Sequence, residues 1–174
     1  VILERILADY LTARMVGLMA FKDDLAFSLN PVFPYLLTNQ ISRKRESLGA
    51  GFRDFISDQG TTKIYVDAVS IRFTFRAVST EAENGNDIVA AQVKQADQIL
   101  GNLTRTGGIS LRDSVTKLPQ RIVQGEYLSQ SDIQPITDRL PVVYQKALSY
   151  SFRIIVPFAY PEGIYPMTEL KTHF

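Results

Sequence analysis

Two stretches of the chain alternate apolar and polar residues over the length of a long strand, Val69–Val78 and Leu148–Val156. In the first, Val69, Ile71, Phe73 and Phe75 alternate with Ser70, Arg72, Thr74 and Arg76. In the second, Leu148, Tyr150, Phe152, Ile154 and Val156 alternate with Ser149, Ser151 and Arg153. Successive side chains on a strand point to opposite faces, so this pattern predicts strands with one buried and one solvated side. Ile64, Val66 and Ala68 extend the first pattern back toward Lys63. The strand then runs from Thr61 to Val78, either unbroken or with a bulge near Asp67.

Helical spacing appears twice. Over residues 2–19, Leu3, Leu7, Leu11, Met15 and Leu18 recur every three or four positions, with Ile6 and Tyr10 widening the stripe. Glu4, Arg5, Asp9 and Arg14 lie largely off it, which predicts a helix packed on a core or docked on a neighbouring subunit. After the polar stretch Thr80–Asn86, Asn86 or Asp87 can cap a second helix with Val89, Val93, Ala96, Leu100 and Leu103 on one side. Gly101-Asn102 is its expected stop.

Residues 21–62 lack a clear period. Asn30-Pro31 and Phe33-Pro34 read as turns or extended dipeptides, and residues 35–38 as a short strand. Arg43, Lys44 and Arg45 follow, then Gly49 and Gly51. The segment 28–62 is expected to be an extended arm or long hairpin with a basic, glycine-containing tip. Gly107-Gly108 marks a turn. Leu111–Tyr127 carries a weaker strand pattern broken at Leu118-Pro119, and Ser129–Leu140 reads as loop. The last strand runs from about Val142 to Pro157, and residues 161–174 form an extended tail. The fold class is α+β: a mainly antiparallel sheet with two amphipathic helices on one face, plus the arm, in a single domain over residues 1–160.

Composition narrows the chemistry. The 174 residues are 45% hydrophobic and 21% charged, ordinary for a globular domain. Nineteen basic and eighteen acidic residues leave a net charge of +1, so no global field favours nucleic acid. The chain has no cysteine, which excludes disulfides and thiolate chemistry and fits a cytosolic setting. Its single histidine is His173, which removes an internal Ser-His-Asp triad and most metalloenzyme designs. No apolar run has the length of a membrane span. The N-terminal apolar stretch is interrupted by charges and does not read as a signal peptide.

No phosphate-binding glycine loop and no nucleophile elbow occurs. Asp23-Asp24, Glu81 and Glu83 lack the ligand set of a cation site and read as solvated turns. Catalytic, cofactor-binding and metal-ligating residues are therefore not assigned, and a carboxylate enzyme is the weakest of the functional readings. The stronger signals are basic. Arg43, Lys44 and Arg45 sit together, though Glu46 and Asp54 dilute them, and Arg72, Arg76 and Arg153 lie on the polar faces of the two clear strands. Each set reads as a solvated surface, as inter-subunit ion pairs, or as phosphate contacts. Ile155 interrupts the second polar face and points to local cover by another subunit.

The element order resembles that of phage tail-terminator and tail-completion, or head–tail joining, proteins. The resemblance is carried by the phrase Lys63–Val78, a following helix, and the late strand Tyr150-Ser151-Phe152-Arg153-Ile154, and it spans residues 1–157 as an arrangement of elements. It implies a non-enzymatic virion protein that forms a ring, usually a hexamer, capping the tail tube at the head connector. The implied partners are copies of itself and the tube, sheath and connector proteins, with no cofactor and no membrane. Assembly would take place in the host cytoplasm. Within such a ring, Arg43, Lys44, Arg45, Arg72, Arg76 and Arg153 are expected to meet channel DNA non-specifically or a neighbouring subunit. The alternative expectation is a nucleic-acid-binding module using the basic loop and sheet face.

Overall fold

The two alternating segments are adjacent central strands of one sheet. In the computed structural model, which describes residues 2–21, 32–46, 55–57, 60–105, 107–138 and 140–160, the elements follow in order. They are α1 (Ile2–Arg14), β1 (Met19–Phe21), β2 (Tyr35–Arg45), β3 (Phe55–Ser57), β4 (Gly60–Val78), α2 (Gly85–Leu103), β5 (Ile109–Arg112), β6 (Pro119–Gln130), β7 (Gln134–Ile136) and β8 (Val143–Tyr160). The sheet runs β1-β2-β4-β8-β6-β5, with β3 added to β4 and β7 to β8. Only β1 and β2 pair in parallel. The α+β class with a mainly antiparallel sheet and two helices is as expected.

β4 and β8 pair without a register shift from Thr61↔Tyr160 to Val78↔Val143. Of the two expected forms β4 takes the unbroken one against β8; the irregularity falls on its other neighbour, β2, between Gln40 and Ser42. Much of the expected arm is sheet: β2 and β4 form a long hairpin, from Tyr35↔Arg76 to Arg45↔Asp67. Arg43, Lys44 and Arg45 thus end a strand and do not form a loop tip. The tip glycines Gly49 and Gly51 and the tail 161–174 lie outside the described residues. The expected loop Ser129–Leu140 also holds β7, which continues the line of β6 along β8. Ser131 joins the two: its N–H donates to Ala147 O at 2.9 Å and its Oγ accepts from Ala147 N at 2.9 Å.

Both helices lie on one face. Leu3, Leu7 and Leu11 of α1 and Val93, Ala96, Leu100 and Leu103 of α2 join Ile71, Phe73, Phe75, Leu148, Tyr150, Phe152 and Ile154 in one buried cluster. α1 ends at Arg14, short of the expected residue 19, yet Met15 and Leu18 remain buried beyond it. α2 is capped two residues before Asn86, the earlier of the two expected caps, because Asn84 is its cap and accepts from Asn86 N at 2.9 Å. It also passes the Gly101-Asn102 stop and ends at Leu103, whose side chain is buried. Tyr150 fastens α2 to the sheet: its hydroxyl donates to Asp97 Oδ1 at 2.5 Å. Burial and this bond push the Tyr150 phenol well above its ordinary ionisation range.

One ion pair ties α1 to the far edge. Arg5 Nε and Nη2 donate to Asp113 Oδ1 and Oδ2, each at 2.7 Å, and the Asp113 side chain is fully buried. Asp113 also accepts from Thr116 N at 2.8 Å and Thr116 Oγ1 at 2.7 Å, which shapes the turn between β5 and β6. The Arg5 bond holds the Asp113 carboxyl well below the usual carboxylate range; burial opposes this, and the Thr116 bonds add to it. A carboxyl depressed in the folded state takes up protons more readily when the chain unfolds. Its contribution is complete above the unfolded value of about 4 and is lost as pH falls further. The expected result is a melting temperature that drops steeply below about pH 4. Asp113→Asn should melt lower at neutral pH and show a shallower acid slope, both read by thermal melts across pH. An unchanged slope would remove Asp113 from the account.

Candidate functional site on the polar sheet face

The register that buries Val69, Ile71, Phe73 and Phe75 turns Ser70, Arg72, Thr74 and Arg76 to the side away from the helices. On that side they lie opposite Ser151, Ser149, Ala147 and Gln145 of β8. From β2, Asn39, Leu37 and Tyr35 stand opposite Arg72, Thr74 and Arg76. Of these, Leu37, Asn39, Arg72, Thr74, Arg76, Gln145, Ala147 and Ser149 line an open cavity of about 470 Å³, together with Ser129, Ser131 and Gln134 from the β6–β7 line. Arg72, Arg76 and Arg153 share this face, as the alternation implied.

Their states differ. Arg76 is buried; its Nε donates to Gln145 Oε1 at 3.0 Å and its Nη1 to Tyr35 Oη at 3.2 Å. Tyr35 and Leu37, with Phe33 packed on them, form a second small buried cluster on this side. Arg153 is exposed and ion-paired, with Nη2 2.6 Å and Nε 2.9 Å from Glu46 Oε1. Arg72 is exposed, and among the described residues it makes no hydrogen bond or ion pair. Ile155 is half-buried within its own chain, between Val66 on β4 and Arg121 on β6.

The cluster 43–45 does not act as one patch. The extra residue between Gln40 and Ser42 reverses the phase of β2, since side chains alternate along a strand. Arg43 and Arg45 therefore stand opposite Val69 and Asp67 on the helix side, while Lys44 stands opposite Ala68 on the polar side. Arg43 Nε donates to Asp67 Oδ2 and Arg45 Nε to Asp67 Oδ1, both at 2.8 Å. The Arg45 guanidinium also lies 4.2 Å from the centre of the Tyr65 ring. The Arg45 bond, reinforced by Arg43 against the effect of burial, holds the Asp67 carboxyl below its ordinary value. The sequence offered a bulge near Asp67 only as an alternative to an unbroken strand and gave no sign of its role, because its partners change face only through an irregularity on the neighbouring strand.

A second feature lies at the sheet margin. β5 covers β6 only from Pro119 to Ile122. Beyond it, Gly125 N donates to Thr104 Oγ1 at 3.0 Å, and among the described residues no strand pairs with the outer edge of β6 through Gln130. Two register shifts against β8 insert Val123 and Leu128. Val123, Tyr127 and Leu128 are 36%, 49% and 46% exposed. The adjacent Tyr127-Leu128 pair was the available sequence signal: consecutive apolar residues on a strand cannot both face the same core.

Among the described residues no three His, Asp or Glu side chains gather as a metal site, and no helix is long and apolar enough to cross a membrane. The chain matches no protein-family model and no curated protein.

Proposed function

We propose that this chain is a structural assembly protein that joins copies of itself edge to edge into a ring. By the resemblance of its element order, the ring is the terminator or neck of a phage-like tail, six-membered, set between the tail tube and the head connector. It acts without catalysis or cofactor. The observation that carries the self-association is the outer edge of β6, unpaired among the described residues, with Tyr127 and Leu128 exposed beside it. An uncovered strand edge offers N–H and C=O groups to another strand, and natural monomers usually block such edges with charge, proline or a covering loop. On the side of β2 away from β4, no described strand pairs beyond Leu37, where the pairing with β1 ends. Two margins without a strand partner among the described residues, on opposite sides of one sheet, favour a head-to-tail contact, and such contacts close into rings when the rotation permits.

The arginine pairings bear on the nucleic-acid alternative. Arg43, Arg45 and Arg153 already meet carboxylates, so fewer cations are left to displace counterions from DNA. Light scattering across a concentration series tests the self-association. A mass several times that of the 19.6 kDa chain at micromolar concentration is expected. A mass that stays at one chain into the high micromolar range would overturn it.

A further inference from the structure

We infer that the cavity on the polar sheet face is a binding site for an oxyanion, a carboxylate or phosphate group carried by a small polar ligand. The inference stands on the hydrogen-bonding sense of the walls and does not depend on ring assembly. Arg76 Nε gives its proton to Gln145 Oε1, which fixes that amide so that Gln145 Nε2 donates onward to Gln134 Oε1 at 3.3 Å. The chain of donation ends at the Gln134 amide nitrogen, an N–H₂ group with no acceptor among the described residues. Gln134 lines the cavity. Along this line both amide oxygens accept within the chain, and the Gln134 N–H₂ remains as a donor at the cavity.

Charge points the same way. Among the described residues the cavity is lined by two arginines and by no aspartate or glutamate. The other arginines of β2, β4 and β8 have partners: Arg43 and Arg45 meet Asp67 on the helix side, Arg153 meets Glu46, and Arg76 meets Gln145 and Tyr35. Arg72 is the exception, and it stands in the cavity wall between Asn39 and Ser149. A guanidinium presents a planar fork of donors that matches the two oxygens of a carboxylate or phosphate. Thr74 and Ser149 supply hydroxyls beside it that can donate to the same group or to a ligand hydroxyl. The volume of about 470 Å³ is that of a small-ligand pocket and exceeds what one bare ion fills.

Inorganic phosphate and citrate are the probes, with potassium chloride at matched ionic strength as the control. Each oxyanion at millimolar concentration should raise the melting temperature of the wild type by roughly 3 °C over the chloride control. In amide NMR spectra the shifted signals should come from residues around Arg72, Thr74 and Ser149. Arg72→Gln keeps a polar side chain at an exposed position, so its own melting temperature should stay close to that of the wild type. Its affinity for both probes should fall at least tenfold. A phosphate response with no citrate response, or the reverse, identifies the oxyanion and supports the site. Equal responses in wild type and Arg72→Gln, or none beyond chloride in the wild type, would overturn it.

Discussion

Phe152→Ala is expected to cost about 3–5 kcal/mol of folding stability, the range for a buried phenylalanine truncated in a close-packed core. Phe152 is fully buried. Its ring meets Phe73 edge-on at 6.4 Å and stacks on Tyr150 at 5.8 Å. The backbone beneath it approaches closely: a Cβ on Gly125 would lie 3.2 Å from Phe152 Cε1. Removing the ring opens a void between the two central strands, α2 and β6, and none of these elements can close it alone. The change should appear as a urea midpoint shift with an unchanged slope, and as a melting temperature lower by roughly 10 °C. Val16→Ala, at a fully exposed position, is the control and should stay within about 0.5 kcal/mol. A loss for Phe152→Ala below about 1 kcal/mol would mean that the aromatic cluster is not the centre of the core.

Asp67→Ala comes second, at about 2 kcal/mol. The Asp67 carboxylate is almost completely buried and takes three donors from two arginines, the third being Arg45 Nη2 at 3.2 Å. Arg43 and Arg45 are themselves more than a third exposed, so they can turn to water when the acid is lost. That relief keeps the cost below that of breaking a fully buried pair. Without the acid, the end of β2 loses its anchor to β4, and amide exchange should accelerate first at Arg43–Arg45. Exchange that rises uniformly over the sheet, leaving those amides no faster than the rest, would contradict the local role. The acid dependence follows the same sign as at Asp113: the depressed Asp67 carboxyl adds stability above its unfolded value of about 4, and the contribution fades below it.

The sequence was most legible where one period repeated without interruption. Val69 to Phe75 and Leu148 to Val156 declared both their strands and their buried sides, and the register of the pair follows that pattern residue for residue. α1 and α2 were equally plain, because Leu3, Leu7 and Leu11 and Val89, Val93 and Leu100 hold a helical spacing. Legibility failed where an extra residue changes phase. Local composition says nothing of the slip between Gln40 and Ser42, yet it sends Arg43 and Arg45 to Asp67 and away from the polar face. Three contiguous cations before two glycines read as a loop tip; pairing with β4 makes them strand instead. Asp113 was invisible for another reason. Its partner Arg5 is 108 positions away, and only the stacking of α1 near the β5–β6 turn brings them together. On the polar face the alternation did place Arg72, Arg76 and Arg153 correctly, but not that Arg76 is buried while Arg72 is left open to the cavity.

Ring formation requires copies to meet through the edge of β6 that is unpaired among the described residues. Negative-stain electron microscopy of the wild type beside Leu128→Lys tests this most directly, because a lysine on an open edge opposes strand addition at little cost to an exposed position. The account predicts closed rings for the wild type and dispersed single particles for Leu128→Lys at the same concentration, with both proteins folded by circular dichroism. Wild-type particles that remain single, or rings of the same size and abundance from Leu128→Lys, would contradict it.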